Sequence, residues 1–296
     1  MRWWLTVVIT IGIPAGVAGQ APPGTDVFVA PLELSGQRLT IGAPTNLTKR
    51  PGYDNQPSFT PDGKSLLYTV VRGGGPRGTT QSDILRLDLG SGTSAELIAT
   101  PESEYSATVM PGGSAVAVIR VELDSTQRLW AFPLAGGAPR VLLERIKPVG
   151  YQAWLDSTTV GVFVLGSPAT LQVANLRTGT AKILLSDIGR AVQRVPGRRA
   201  ISVTHRVSEK DWWIVEVDAE TGATKPVVAM PSQGDYFVWL ADGSLLSASG
   251  NTFLRYRPGV DREWQPVGVA SGVKGISRLA VSPTGDRIAF VAEDQP

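Results

Sequence analysis

The chain has 296 residues, of which 28 are basic and 26 acidic, so its formal net charge is only +2. A charge this close to zero, with basic residues scattered along the sequence, argues against nucleic acid as a partner. The absence of cysteine excludes disulfide bonds and thiol nucleophiles, and the 42% of hydrophobic residues suits a folded protein.

The first 19 residues have the pattern of a secretory signal peptide. Arg2 supplies a positive charge, residues 5–17 are uncharged and apolar, and Ala18 and Gly19 are small. The apolar run is shorter than the roughly 20 residues that span a bilayer. We therefore expect residues 1–19 to be removed on export, and residues 20–296 to form a single periplasmic or secreted domain that does not span the membrane.

Residues 55–69 predict one complete β-hairpin. Ser58 and Phe59 lead into a turn formed by Pro61, Asp62 and Gly63, after which an apolar strand begins at Leu66. Proline presets φ for such a turn and glycine tolerates positive φ.

Similar turns recur along the sequence at a nearly constant spacing. The first turn residues are at positions 61, 111, 155, 196, 241 and 283, which are 41 to 50 residues apart. Each of the first five hairpins is followed by a second one, so that every repeat contains four short strands. A period in the low forties with four strands per repeat predicts an all-β propeller.

The two ends of the chain complete each other in this scheme. The hairpin at residues 279–291 has no second half before the sequence stops, whereas residues 26–41 form an outer hairpin without an inner one. Five complete blades and one blade shared by both ends predict a six-bladed propeller of four antiparallel strands per blade. Pairing of the first and last strands would close the ring and leave no open sheet edge.

The sequence of residues 55–68, NQPSFTPDGKSLLY, and its echo at residues 277–290, SRLAVSPTGDRIAF, resemble the repeat of TolB-like propellers, which are relatives of the WD-type propellers. The resemblance implies the six-bladed fold. It covers only the propeller portion, because residues 20–25 leave no room for the N-terminal domain that precedes the propeller in TolB. Propellers host binding and catalysis alike, so the resemblance implies no single activity.

Candidate binding residues lie where the chain enters the innermost strands and in one glycine-rich insertion. These residues are Tyr53, Asp54, Tyr105, Tyr151, Asp235 and Tyr236 at the strand entries, and Arg72 and Arg77 in the insertion. The tyrosines occupy nearly equivalent places and could form an aromatic rim for a peptide or a sugar. The alternative is that each tyrosine packs against a neighbouring blade, and that the insertion is a solvated loop.

Catalytic chemistry has little support in the sequence. His205 is the only histidine and falls in a predicted strand, so a multi-histidine metal site cannot be assembled, and no supporting motif for a Ser-His-Asp triad is present. We expect no cofactor, although calcium bound by Asp54, Asn55, Asp187 and Asp235 is conceivable. The sequence thus favours an exported, non-catalytic module for a protein or peptide partner in the cell envelope. The alternatives are a lyase, hydrolase or lactonase propeller, or a glycan-binding module.

Overall fold

Twenty-five β-strands and no helix make up the described part of the chain, which in this computed structural model comprises residues 24–73, 80–231 and 235–294. The expected signal peptide and Arg77 lie outside these residues. In chain order the strands are β1 Thr25–Ser35, β2 Arg38–Ile41, β3 Thr45–Asn46, β4 Asp54–Phe59, β5 Ser65–Arg72, β6 Gln81–Asp88, β7 Ser94–Ile98, β8 Ser103–Val109, β9 Ala115–Val121, β10 Gln127–Pro133, β11 Arg140–Val141, β12 Val149–Trp154, β13 Thr159–Val164, β14 Thr170–Asn175, β15 Thr180–Ser186, β16 Ile188–Arg194, β17 Ala200–Arg206, β18 Trp212–Asp218, β19 Thr224–Ala229, β20 Phe237–Trp239, β21 Leu245–Ser249, β22 Thr252–Tyr256, β23 Gln265–Val269, β24 Ser277–Val281 and β25 Arg287–Glu293.

The strands form six antiparallel sheets, which are the six predicted blades. Blades 1 to 5 consist of β4–β7, β8–β11, β12–β15, β16–β19 and β20–β23, and the closing blade consists of β24, β25, β1 and β2 in that order. The first strand of each blade lies innermost, beside the central channel. Pro266 in β23 lies on an outermost strand, where its missing N–H costs no ladder hydrogen bond.

The ring is closed by the first and last strands, as the sequence predicts. β1 pairs with β25 from Thr25 opposite Glu293 to Pro31 opposite Arg287. Phe28 and Phe290 face each other in this register, and their rings stack with centroids 5.4 Å apart. One element was not predicted: the two-residue strand β3 pairs with β1.

The core is divided among the six interfaces between neighbouring blades. Leu66 and Tyr68 of β5 pack with the closing blade, whereas Leu67 between them packs with blade 2. Successive side chains of a strand point to opposite faces of its sheet, so a sheet covered on both faces needs a continuous apolar run. Each blade is therefore held by both of its neighbours.

Two acidic side chains are fully buried at equivalent positions of neighbouring blades. Asp54 and Glu104 each lie five residues before the end of their innermost strand. Asp54 Oδ1 lies 2.5 Å from Arg50 Nη2, and Glu104 Oε1 accepts a hydrogen bond of 2.6 Å from Thr100 Oγ1 and lies 3.2 Å from Arg120 Nε. The second carboxylate oxygen of each has no hydrogen-bond partner in the described residues. Burial raises the pKa of Asp54 to about 6 and that of Glu104 to about 7, although the nearby arginines oppose the increase.

We predict that Glu104 makes folding less favourable as pH rises. Its pKa is raised in the folded state, so the folded protein holds the proton more tightly, and the free energy of unfolding falls as pH rises from its ordinary pKa towards about 7. Glu104→Gln removes this ionisation. The stability of the variant relative to the wild type should therefore be higher at pH 8 than at pH 5, by roughly 2 kcal/mol in urea unfolding. Glu263→Gln, at an exposed position, is the control, and a relative stability of Glu104→Gln that is independent of pH would contradict the assignment.

Ring closure predicts that deletions at the two ends have the same physical effect. Removing residues 26–41 or residues 279–296 opens the same blade and exposes unpaired strand edges. The loss of several kcal/mol should lower Tm by roughly 10 °C or more in calorimetry and promote association in size-exclusion chromatography. Monomeric deletion variants with unchanged Tm would show that β1 and β25 do not close the ring.

Candidate functional site

The innermost strands place one equivalent residue each around the channel. In every blade this residue lies three positions before the last residue of the innermost strand, or immediately before the strand in blade 5. Together these six residues line one chamber within the channel, and we call them the channel ring: Gln56, Ser106, Tyr151, Ala191, Tyr236 and Arg278. The ring thus combines an arginine, two tyrosines and two neutral polar side chains with a single alanine.

Irregular backbone directs three of the ring side chains. Gln56, Ser106 and Arg278 have positive φ angles of 56°, 52° and 51°, which are uncommon for residues with a Cβ atom. At each of them the pairing between the innermost strand and the next strand shifts by one residue, which is a β-bulge. Bulges change the direction in which a side chain projects and recur next to functional sites, where surrounding structure holds the strained backbone.

Arg278 is the centre of the ring. Its guanidinium carbon lies 4.8 Å from the ring centroid of Tyr151 and 4.4 Å from that of Tyr236. Its Nη2 donates a hydrogen bond of 2.8 Å to Tyr151 Oη. Within the described residues, no carboxylate lies within 4 Å of this guanidinium. The aromatic faces therefore stabilise a cation that has no acidic partner.

Hydrogen bonds connect the innermost strands of blades 1 to 3 at the level of the ring. Gln56 Oε1 accepts a hydrogen bond of 2.7 Å from the backbone N–H of Ser106, and Gln152 Nε2 donates one of 2.8 Å to the carbonyl oxygen of Ser106. The Ser106 hydroxyl and Gln152 Oε1 are buried and have no hydrogen-bond partner in the described residues. Both residues line the chamber, but these two polar atoms are themselves covered by protein.

A wider chamber adjoins the ring on the side of the connections between second and third strands. It has a volume of about 480 Å³, compared with about 140 Å³ for the chamber at the ring itself. Gln56, Tyr151, Arg190 and Arg278 line both chambers, which therefore form one continuous site. A volume of several hundred Å³ is typical of ligand sites. The walls of both contain two arginines and, among the described residues, no acidic side chain.

The structure brings the four predicted tyrosines together, although not at equivalent positions. Tyr151 and Tyr236 belong to the channel ring, whereas Tyr53 and Tyr105 lie higher and line the wider chamber. Burial raises the pKa of Tyr53 to about 12, with Arg278 opposing the increase and the other three tyrosines adding to it. All four are half-buried, and Tyr151 also packs edge-on against Phe163. The site is therefore a tyrosine-lined shaft rather than a level rim.

The other predicted site residues lie away from the chamber walls. Asp54 is buried against Arg50, and Arg72 pairs with Asp83 and Glu96 on the outer part of blade 1. Asp235 accepts a hydrogen bond from the backbone N–H of Arg190. The close approach of Asp235 to the backbone of β16 depends on glycine at position 189, because a Cβ atom there would lie 2.6 Å from Asp235 Oδ1. Burial raises the pKa of Asp235, while Arg190 lowers it.

The candidate calcium ligands are dispersed over three blades. Asp54 forms an ion pair with Arg50, and Asp187 Oδ1 lies 3.5 Å from Arg206 Nη2. Asp235 accepts a hydrogen bond from the backbone N–H of Arg190. In the described ranges, no group of three or more His, Cys, Asp or Glu side chains is placed to hold a metal ion.

Sequence reasoning missed four residues of the site: Gln56, Ser106, Arg190 and Arg278. The signal for three of them was present in the repeat itself. Gln56, Ser106 and Arg278 occupy the same place relative to the tight turn of their hairpin, and Arg278 is the only charged residue in that place. Arg190 stands one position earlier than the ring residue of its blade and has no comparable signal.

Exposed apolar side chains occur at both ends of the propeller, and those at one end lie on neighbouring blades. We call the end that bears the connections between the second and third strands the loop face, and the opposite end the turn face. Three consecutive blades each expose one apolar side chain on the loop face: Leu123 is 62% exposed, Leu165 41% and Val207 55%. We call these three residues the apolar arc. Leu165 also lines the wider chamber, so the arc adjoins the tyrosine-lined shaft.

No helix long and apolar enough to cross a membrane occurs in the residues that the structure describes.

Comparison with known proteins extends the resemblance seen in the repeat. No family model matches the chain. The Tol-Pal system protein TolB of Bordetella pertussis is 52% identical over 31 residues, which are 10% of this chain and 7% of that protein. The chain therefore matches only a small fraction of the length of this relative.

Solved structures show the same architecture over most of the chain. A putative TolB from Agrobacterium tumefaciens has a TM-score of 0.70 at 13% identity and is matched over 93% of this chain and 100% of that one. An oligogalacturonate lyase in complex with manganese has a TM-score of 0.58 at 14% identity, over 85% of this chain and 80% of that one. Likeness at such identities establishes the fold and not the activity. With the repeat motif and the closed ring of six blades, it follows that the chain has the six-bladed fold of the TolB-like β-propellers.

Proposed function

We propose that the chain is an exported, non-catalytic binding module that presents its loop face to a protein or peptide partner in the cell envelope. The observation that carries this proposal is the apolar arc, Leu123, Leu165 and Val207, next to the tyrosine-lined shaft. Exposed apolar surface beside a polar cavity is typical of interaction sites, and here three neighbouring blades each contribute one such side chain.

The composition of the site agrees with protein recognition. Interfaces between proteins are enriched in tyrosine and arginine, and a few such residues at the centre supply most of the affinity. Here Tyr53, Tyr105 and Tyr151 surround Arg278 in a shaft that the arc flanks. A partner could rest on the arc and insert a side chain into the shaft.

The structural similarity to a lyase makes an enzyme the alternative to a binding module. An enzyme of this fold would need a group of metal ligands or carboxylates at the channel, and the described walls of both chambers contain neither. Elemental analysis of the purified protein tests this alternative: stoichiometric calcium, zinc or manganese would favour an enzyme over a binding module.

We predict that the apolar arc is needed for capture of the partner. Replacing Leu123, Leu165 and Val207 together by serine should reduce the capture of envelope proteins on the immobilised chain by about ten-fold or more, because several apolar contacts are lost at once. The amounts captured from an envelope extract of the encoding organism would be quantified by mass spectrometry. Tm should change little, since these side chains are exposed.

The turn face provides a matched control. Leu134 and Val260 are 46% and 66% exposed, and both lie in connections between third and fourth strands on the turn face. Their replacement by serine should leave capture unchanged. Capture that survives the loop-face changes and disappears with the turn-face changes would place the interface on the opposite end of the propeller.

A further inference from the structure

The channel carries a local surplus of positive charge. Arg278 and Arg190 line both chambers, and no aspartate or glutamate contributes to either wall within the described residues. Neither guanidinium has a carboxylate within 4 Å among those residues, whereas most other arginines of the propeller have one, such as Arg120 with Glu104 and Arg257 with Asp261. Asp235 is the nearby acid: it accepts a hydrogen bond from the backbone N–H of Arg190 and interacts electrostatically with both arginines. Arginines without an ion pair also occur elsewhere in the described residues, such as Arg177 and Arg194, but here two of them line chambers whose described walls contain no acidic side chain.

Arg278 is held in place before any ligand arrives. Tyr151 and Tyr236 cover its guanidinium, and the hydrogen bond to Tyr151 Oη fixes its rotation about the long axis. The guanidinium has five N–H donors, and Tyr151 Oη is the acceptor found for it in the described residues. Burial by itself lowers the pKa of Arg278, but the tyrosines raise it, so the side chain remains a cation. Arg278 is half-buried, and a partly desolvated charge without an ion pair is costly, which makes its retention informative.

The opposite wall offers further polar atoms. The Ser106 hydroxyl can donate a hydrogen bond, and Gln152 Oε1 can accept one. The orientation of the Gln152 amide is set by Ser106 O and Thr108 Oγ1, both of which accept hydrogen bonds from Nε2. Gln152 is only 8% exposed, so its free oxygen is not an ordinary solvated group. Both atoms are covered, so a ligand in the chamber would meet them only after the Ser106 or Gln152 side chain turns towards it.

We propose that the channel ring binds a peptide carboxylate, with Arg278 as its main cationic contact and Arg190 as a second one. The inference rests on the proposed function and adds the chemistry of the group that the partner inserts. A planar guanidinium matches a carboxylate in a bidentate geometry, and a peptide supplies N–H donors beside it. The chamber of about 140 Å³ at the ring suits a side chain or a chain end rather than an oligosaccharide.

The direct test is a ligand titration of residues 20–296 that is monitored by NMR. Two probes separate the sources of a peptide carboxylate: Nα-acetyl-glutamate amide carries it on a side chain, and Nα-acetyl-alanyl-alanine carries it at a C-terminus. Nα-acetyl-glutamine amide is the uncharged control. We expect at least one carboxylate to shift the Nε–Hε signal of Arg278 saturably, with a millimolar Kd, while that of Arg287 on the turn face stays unchanged. The tighter probe identifies the source.

Substitutions at the ring give a second measurement. Arg278→Gln should weaken binding about ten-fold or more, and Arg278→Lys should weaken it less, because lysine keeps the charge but not the planar pair of donors. Glutamine is compatible with the backbone at this position, since Gln56 has a similar φ of 56° at the equivalent place of blade 1. Arg287→Gln should have no effect.

A third probe, galacturonate, carries its carboxylate on a sugar. Three results would overturn the inference: no saturable shift of Arg278 with either peptide carboxylate, an equal shift with the glutamine amide, or tighter binding of galacturonate than of both peptide carboxylates. The result is independent of partner capture. If a carboxylate binds but the serine substitutions in the apolar arc leave partner capture unchanged, the proposed function is rejected and the carboxylate site is kept. If those substitutions abolish capture but no carboxylate binds, the function is kept and the carboxylate site is rejected.

Discussion

The pairing of β1 with β25 is the interaction on which the rest of this structure depends. A row of blades that is not closed would expose strand edges at both ends, and its terminal sheets would lack a neighbour on one face. The register that places Phe28 against Phe290 joins the two ends of the chain within one sheet. Closure also brings β24, and with it Arg278, beside blade 1 at the channel. The centre of the candidate site is therefore assembled only when the last part of the chain meets the first.

Closure leaves the six innermost strands with a shared geometry and different side chains. The same position of the repeat carries a cation in one blade, tyrosines in two others and neutral groups in the rest. The interfaces between blades are apolar and nearly continuous, so they can hold the strained bulges at Gln56, Ser106 and Arg278. Polar specificity is thus concentrated in the channel, while stability resides in the interfaces.

The sequence predicted the fold more completely than the site. Tight turns such as Pro61-Asp62-Gly63 have strong local signals, and their regular spacing was enough to infer the blades and the shared closure. Arg278 was missed because its importance comes from Tyr151 and Tyr236, which are far away in the chain and become its neighbours only in the closed ring. Asp54 and Arg72 were proposed as binding residues from their place in the chain, but the structure pairs them with Arg50, Asp83 and Glu96. Local sequence shows which residues lie near a strand entry and not which charges remain unpaired there.

The central claim is that a partner is bound on the loop face, at the mouth of the channel. The most direct measurement is hydrogen exchange by mass spectrometry on the complex with the captured partner. The account predicts slower exchange in residues 121–127, 164–170 and 206–212, the connections between second and third strands of blades 2 to 4, where the apolar arc lies. Slower exchange confined to the tight turns at residues 61–63, 111–113 and 241–243 would contradict it, since those turns lie on the opposite end of the propeller.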